Sequence, residues 1–212
     1  MAERMGNSKG RTAAASLLLC LVAGSALASP YLDMIPDFWR GVYPDGGQSL
    51  YCGDAFARWD RRYNIEHVFP MAWVGRALDC GNRRQCRERS ALFNRIETDM
   101  HNLFAVRKTI NRARGSMAFG EISGEAWLQE DCDFELDRGA RRVEPRPAAR
   151  GDIARAMLYM ADRYPLTLFR RQRELLLRWH AQDPVDDAER QRHARIRTLQ
   201  GWANPWIERS AD

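Results

Sequence analysis

Apolar residues recur at helical spacing in three segments of the C-terminal third of the chain. The first begins near Asp152, which can cap a helix, and ends before Pro165. Its apolar positions are Ile153, Ala156, Met157 and Met160. The second covers residues 167–182, with Leu175, Leu176 and Trp179 on one side. The third begins at residues 183–184, with proline at the first helical position, and ends at Gly201. Residues 152–201 are therefore predicted to form a helical scaffold.

Residues 29–70, far upstream of these helices, have a different pattern. Residues 29–62 combine aromatic residues with turn formers, which predicts short helices and irregular structure. Residues 63–68 have the composition of a β-strand, and Pro70 ends it. A loop that contains two cysteines is expected to follow.

The middle of the chain is harder to interpret. Residues 97–103 fit either a strand or a helix. From Phe104 onwards, apolar residues at helical spacing predict a helix that ends at Gly115. These apolar residues are Val106, Ile110 and Ala113. The stretch 137–151 is rich in Arg and Pro and predicts a connection over the surface. Residues 63–115 are thus expected to form strand, loop, strand and helix.

The N-terminus has the composition of a secretory signal peptide. Basic residues at Arg4, Lys9 and Arg11 precede an apolar run over residues 13–23, and small residues lead up to Ala28. Cleavage is expected after Ala28, which leaves a mature domain of residues 29–212 in the periplasm or secreted. The apolar run is too short for a membrane span of the mature protein, so no membrane partner is expected.

Composition fits a single globular domain and permits an anionic partner. The 212 residues are 45% hydrophobic and 29% charged, which excludes a disordered chain. Lys and Arg together number 33 against 28 Asp and Glu, a formal charge of +5. A basic protein can bind a polyanion, but a genome that favours Arg codons explains the composition equally well.

Four cysteines remain in the mature chain: Cys52, Cys80, Cys86 and Cys132. An even number in an exported protein indicates disulfides. Four cysteines allow three pairings, and the short interval favours Cys80 with Cys86, which leaves Cys52 with Cys132. Zinc binding is the alternative use of cysteine, but the chain lacks a Cys-x-x-Cys pair.

Candidate catalytic residues follow the first predicted strand. Glu66 and His67 are adjacent, and a helix after the second strand can bring Asn111 back across the first one. A carboxylate and an amide oxygen suit Mg²⁺, which keeps several waters and takes further ligands from phosphate. His67 would then be free to act on water. A structural role for an isolated histidine is the alternative, and we prefer that role for His101 and Asn102.

Four motifs together resemble one known family. They are IEHVFP at residues 65–70, CGNRRQC at 80–86, ETDMHNL at 97–103 and QGWANPW at 200–206. In order and spacing they are similar to the bacterial periplasmic and secreted endonuclease I family, non-specific nucleases with a ββα-metal (His-Me finger) active site. The resemblance covers nearly all of the mature chain. It implies an α+β fold, with a ββα-metal core over about 63–115 packed on helices and stapled by disulfides.

The resemblance also implies roles for individual residues. His67 would be the general base, Glu66 and Asn111 the magnesium ligands, and Arg83 the residue that holds the scissile phosphate. Glu97 matches a further active-site acid. Two other arginines, Arg84 and Arg114, are expected to contact substrate phosphates. Products with a 5′-phosphate are implied, whereas the spacing alone does not identify the bond that is cut.

Elementary chemistry is consistent with these roles. A neutral histidine can take a proton from water, and an arginine fork can contact a phosphate oxygen. Two-metal sites need several carboxylates, and only Glu66 and Glu97 lie near the proposed site, so one ion is expected. That ion is Mg²⁺, with Mn²⁺ or Ca²⁺ able to substitute in binding. DNA is the expected substrate, RNA a second candidate, and a monomer the expected state.

Two other functions compete with the nuclease. A secreted nucleic-acid-binding protein without activity would need the arginines but not Glu66, His67 and Asn111 together. A zinc hydrolase built on His67 and His101 would lack a third ligand at recognisable spacing. The chain also departs from the family pattern. It has Asp54 where the family's Tyr-Cys-Gly segment usually continues with cysteine, which implies one disulfide fewer, and additional bases near Asn111.

Overall fold

The computed structural model describes residues 1–2, 30–124 and 126–209. The predicted signal peptide lies almost wholly outside these described residues, and so does the cleavage position after Ala28. Within the described ranges, no helix is both long and apolar enough to cross a membrane.

The described mature chain begins with short elements, as the mixed pattern predicts. Helix α1 covers Pro30–Asp37 and continues into a π-helix over Phe38–Val42. Two strands of two residues follow, β1 at Gly47–Gln48 and β2 at Ala55–Phe56, and they pair antiparallel. Aromatic side chains from these elements pack together at this end of the molecule.

The central sheet consists of two paired strands that are distant in sequence. Strand β3 covers Tyr63–His67, as predicted, and pairs antiparallel with β4 at Leu103–Arg107. The prediction of a helix from Phe104 is therefore wrong in its start. Residues 103–106 are buried all round and lack a polar face, which suits a strand covered on both sides. Helix α5 begins only at Lys108–Arg114, and Gly115 ends it.

Three short helices and a 3₁₀ turn connect β3 to β4. They are α2 at Met71–Ala77, α3 at Arg83–Arg89, α4 at Ala91–Glu97 and a 3₁₀ turn at Met100–Asn102. Asn82 and Gln85 form a capping box at the start of α3, and Ser90 caps α4. The predicted cysteine loop thus contains the first turn of a helix.

A four-stranded sheet contains strands that the sequence pattern did not reveal. Its strands are β5 at Ala118–Phe119, β6 at Trp127–Gln129, β7 at Cys132–Asp137 and β8 at Arg142–Pro145. Their order is β5-β8-β7-β6, with β5 parallel to β8. The prediction of a surface connection over 137–151 is wrong here, because Val143 and Pro145 point into the core between more exposed neighbours.

The C-terminal helices match the predicted scaffold with shifted starts. They are α6 at Arg150–Arg163, α7 at Arg170–Gln182, α8 at Asp187–Gln200 and α9 at Pro205–Glu208. Asp152 lies inside α6 instead of capping it, and α8 is capped by Asp186, three residues after the helix start we predicted. Gly201 adopts the left-handed conformation at the end of α8, as expected.

Both predicted disulfides are present. One joins Cys52 to Cys132 across a separation of 80 residues, and the other joins Cys80 to Cys86. The first ties the segment before β3 to the start of β7. The prediction of an α+β fold is confirmed: two paired strands and a helix form its core, helices form the scaffold, and two disulfides are present.

A buried polar cluster joins the 3₁₀ turn to the C-terminal helices. Asp99 Oδ2 accepts hydrogen bonds from the hydroxyls of Tyr159 and Tyr164, both at 2.7 Å. His101 Nε2 lies 3.1 Å from the carbonyl oxygen of Trp202. Because a carbonyl only accepts, the neutral ring carries its proton on Nε2. Nδ1 has no hydrogen-bond partner in the described part of the chain, and burial lowers the pKa of His101 to about 4.

Acid is expected to destabilise the protein in part through His101. Its pKa of about 4 in the fold lies below the ordinary 6.5, so the unfolded chain binds the additional proton between these pH values. The stability linked to this group is complete above about pH 6.5 and falls by about 3 kcal/mol as the pH approaches 4. Urea unfolding near neutral pH and near pH 4 should show a smaller pH effect in His101→Gln than in the wild type. Equal pH effects would contradict the prediction.

Candidate active site

A cleft of about 1160 Å³ opens beside strand β3. Glu66 and His67 of that strand line it, together with Asn111 of α5, Arg83 of α3 and Tyr31 of α1. Helix α5 follows β4 directly, and β4 pairs with β3, so the strand pairing returns α5 to the side of β3. The cleft thus brings together the predicted base, both predicted metal ligands and the predicted phosphate-binding arginine.

His67 is held with a defined tautomer. Its side chain is buried, and Nε2 lies 2.9 Å from the backbone carbonyl oxygen of Glu97. In the neutral ring Nε2 must donate to that carbonyl, so Nδ1 carries the free lone pair. Burial, followed by the positive charge of Arg83, lowers the pKa of His67 to about 4. Near neutral pH the ring is therefore an unprotonated base.

Glu66 is a buried carboxylate with two side-chain donors on one oxygen. Oε1 accepts from the Tyr51 hydroxyl at 2.7 Å and from Arg114 Nη1 at 3.0 Å. Burial raises the pKa of Glu66, and the Arg114 charge opposes that rise. Among the described residues no side chain donates to the second oxygen, Oε2. Glu66 lines the cleft, and its second oxygen is the one without a side-chain donor among the described residues.

Asn111 is oriented by its own amide nitrogen. Nδ2 donates to Asn64 Oδ1 at 2.9 Å and to the carbonyl oxygen of Ile65 at 3.2 Å. Both partners are acceptors, so the amide nitrogen must face them and the amide group cannot be flipped. Neither of these two bonds uses Asn111 Oδ1. With Glu66 it forms a set of one carboxylate and one amide oxygen, which suits a hard cation such as Mg²⁺.

Other metal arrangements find less support. In the ranges that the structure describes, no group of three or more His, Cys, Asp or Glu side chains is arranged to hold a metal ion. The histidine pair of the zinc alternative is also divided. His67 lines the cleft, whereas the His101 ring packs against Tyr159 and His193 in the scaffold.

Glu97 connects the base to the arginines. Its carbonyl holds His67, and its fully buried carboxylate accepts from Arg83 Nε at 2.5 Å and from Arg87 Nε at 2.7 Å. The Arg83 side chain remains 46% exposed, so part of its guanidinium faces the cleft. Arg84, the next residue, is exposed on α3 and is absent from the cleft lining.

Arg114 does not lie where substrate contact would require it. Its side chain is fully buried, and its guanidinium donates to Glu66 and to the carbonyl oxygens of His67 and Val68. It also lies 4.7 Å from the centre of the Phe119 ring. This arginine holds Glu66 and the end of β3 from behind, on the side away from solvent.

Three residues of the site were missed by sequence reasoning. Arg87 lies four residues after Arg83, and this helical spacing could have indicated that both reach one carboxylate. Tyr51 precedes a conspicuous cysteine but carries no chemical signal of its own. Tyr31 packs 5.3 Å from the His67 ring and lies under the guanidinium groups of both arginines, at 5.1 and 5.2 Å. No local pattern marks it.

Two paired strands followed by a helix, with a histidine beside a carboxylate and an amide at one cleft, form the arrangement that the sequence motifs predict for a nuclease. Residues 41–211 match the family model described as Endonuclease I. The chain belongs to the Endonuclease I family, and the prediction that it is an endonuclease is confirmed.

Individual relatives span most of the mature chain. The periplasmic deoxyribonuclease of Aeromonas hydrophila is 40% identical over 174 residues, which cover 80% of this chain and 73% of the relative. Endonuclease-1 of Buchnera aphidicola subsp. Acyrthosiphon pisum (strain APS) is 31% identical over 149 residues, 69% of this chain and 59% of the relative. The extracellular ribonuclease of Bacillus subtilis (strain 168) is 33% identical over 129 residues, 52% and 43% respectively.

Proposed function

We propose that the mature protein is an exported, magnesium-dependent endonuclease that hydrolyses phosphodiester bonds of DNA with little sequence preference. The names of its deoxyribonuclease and endonuclease relatives support this substrate. A similar relative named a ribonuclease makes RNA the second candidate substrate. The names of the periplasmic and extracellular relatives support export. Cleavage after Ala28 and a monomeric mature protein are further parts of the proposal.

The observation that carries the proposal is the hydrogen bond from His67 Nε2 to the Glu97 carbonyl. It leaves Nδ1 unprotonated in the same cleft as Glu66 and Asn111. In the proposed reaction Nδ1 takes a proton from a water molecule as that water attacks phosphorus. The bond between phosphorus and the 3′-oxygen breaks, and the departing 3′-oxygen takes a proton from solvent water. The products are a 5′-phosphate and a 3′-hydroxyl, and His67 returns its proton to solvent.

Glu66 Oε2 and Asn111 Oδ1 are the proposed protein ligands of one Mg²⁺ ion. When bound, this ion would neutralise charge on the phosphate and on the departing 3′-oxygen. Mn²⁺ or Ca²⁺ is expected to occupy the same two oxygens. Arg114 is a positioning residue, because it holds the Glu66 carboxylate in place from the buried side and its charge opposes the rise in the pKa of Glu66 that burial causes.

Arg83 is the proposed contact to the scissile phosphate. Glu97 binds its Nε and so directs the remaining nitrogens of the planar guanidinium towards the cleft. Glu97 then acts on both the base and the arginine without itself touching substrate. Arg84, exposed beside the cleft, is proposed as a weaker, salt-sensitive contact to a neighbouring phosphate.

Cleavage of supercoiled plasmid tests the proposal directly. The oxidised mature protein is expected to nick plasmid in Mg²⁺ and to be inactive in EDTA, with activity restored when excess Mg²⁺ is added. A parallel assay on RNA tests the second substrate. Undiminished nicking in EDTA would contradict the metal assignment. Tight DNA binding without cleavage in Mg²⁺ or Mn²⁺ would instead support a binding protein that retains the nuclease fold.

A further inference from the structure

The cleft extends away from the catalytic residues to an exposed tryptophan. Trp59 lies in the connection between β2 and β3, lines the cleft and is 52% exposed. Such exposure is unusual for an indole ring, which ordinarily buries its large apolar surface. The same cleft includes Glu66 and His67, so a nucleic-acid strand at the catalytic residues could continue towards Trp59.

Trp59 rests on a fixed aromatic base. Its ring centre is 6.3 Å from that of Trp39, a residue of the π-helix that also lines the cleft. Trp39 in turn packs edge-on against Phe38 and Phe56, with ring centres 5.1 and 6.2 Å away. The Trp59 indole therefore lies tilted against Trp39 at the edge of an aromatic cluster, while about half of its surface stays exposed.

The connection that carries Trp59 is itself braced. The Arg62 backbone N–H donates to Asp60 Oδ1 at 2.7 Å, and the Arg62 side chain pairs with the same carboxylate. The Lys108 N–H donates to the carbonyl oxygen of the same residue, Arg62, at 2.8 Å. The end of the connection, three residues after Trp59, is thus tied to the start of α5.

Positive charges line the same cleft as the exposed ring. Arg61 and Lys108 are both exposed and both belong to the cleft lining, as do Trp59 and Asn111. Cations beside an open aromatic ring form the usual arrangement for binding a nucleic-acid single strand, in which phosphates contact the charges and a base stacks on the ring.

We propose that Trp59 forms a stacking subsite for an unpaired base of single-stranded DNA, with Arg61 and Lys108 holding the adjacent phosphates. This inference rests on the proposed nuclease function and deepens it, since it predicts tighter binding of single strands than of duplex DNA. In a duplex each base is already stacked on its neighbours and is not available to the ring.

Equilibrium binding in EDTA tests the subsite without cleavage. A fluorescent twelve-residue oligothymidylate, a strand of abasic residues of equal length and a duplex serve as probes. Trp59→Ala is expected to weaken oligothymidylate binding by about 5- to 150-fold, the range for loss of one stacked base. Trp59→Phe should retain most of the affinity, and binding of the abasic strand and the duplex should stay close to the wild type.

Trp127→Ala is the matched control, because Trp127 is similarly exposed but does not line the cleft. The subsite is refuted if Trp59→Ala binds oligothymidylate as tightly as Trp127→Ala does, or loses the same factor on the abasic strand. If the wild type cleaves plasmid in Mg²⁺ while either result holds, only this inference fails. If the wild type binds no nucleic acid, the inference and the proposed function fail together.

Discussion

Replacement of His67 by alanine is expected to lower the rate of plasmid nicking in Mg²⁺ by about a hundredfold to ten-thousandfold, the usual contribution of a positioned general base. The loss should appear in turnover more than in DNA affinity, because His67 is buried and the phosphate contacts lie on other residues. Single-turnover nicking of supercoiled plasmid measures the rate. DNA binding in EDTA measures the affinity.

His180→Ala provides the control for a generic histidine substitution. His180 lies on α7, where its ring packs against Trp206, and it does not line the cleft. This variant should nick plasmid at the wild-type rate. The assignment of the base would be overturned if His67→Ala, with an unchanged far-ultraviolet spectrum and melting temperature, cut within about threefold of the wild type, well below the effect of removing a base.

Removal of the disulfide between Cys52 and Cys132 should produce the largest loss of stability. The bridge spans 80 residues of sequence, and constraint of so long a loop in the unfolded chain corresponds to about 4.5 kcal/mol. We expect the double serine variant to unfold at a much lower urea concentration than the wild type when both are measured without a reducing agent. Tyr51 precedes Cys52 and donates a hydrogen bond to Glu66. Loss of the bridge should therefore also lower the nicking activity of the variant at temperatures where it is still folded.

The second disulfide provides a matched comparison. Cys80 and Cys86 are separated by only six positions, and the same chain-entropy argument assigns this bridge about 2.4 kcal/mol. In urea unfolding, the variant that lacks the long bridge should therefore lose more stability than the variant that lacks the short one. If removal of the short bridge destabilised the protein as much as removal of the long one, loop length would not be the source of the stability.

Glu97 makes more contacts within the proposed site than either proposed metal ligand. It binds His67 through its carbonyl and two arginines through its carboxylate. The arginines then contact Tyr31, whose ring lies against His67. Tyr31 precedes the region matched by the family model, so this part of the site is supplied by helix α1, outside the matched residues 41–211.

Much of the core could be predicted from sequence because its signals are local. The strand before Pro70, the adjacent Glu66 and His67, and the short interval from Cys80 to Cys86 all lie within a few residues. Helical spacing likewise revealed the scaffold. Prediction failed at Phe104, where an apolar run suited both helix and strand, and at 142–145, where charged residues masked an alternating pattern.

The sequence by itself determined the chemical groups, the strand that carries the base and the helices that support it, because residue type and periodicity are properties of neighbouring positions. Only the tertiary structure decided which groups meet. In the folded chain Arg114 forms a buried ion pair with Glu66, and the Glu97 carbonyl binds His67. Trp59 lines the cleft and stays about half exposed. These contacts join positions tens of residues apart, and they depend on strand pairing and packing that no local pattern encodes.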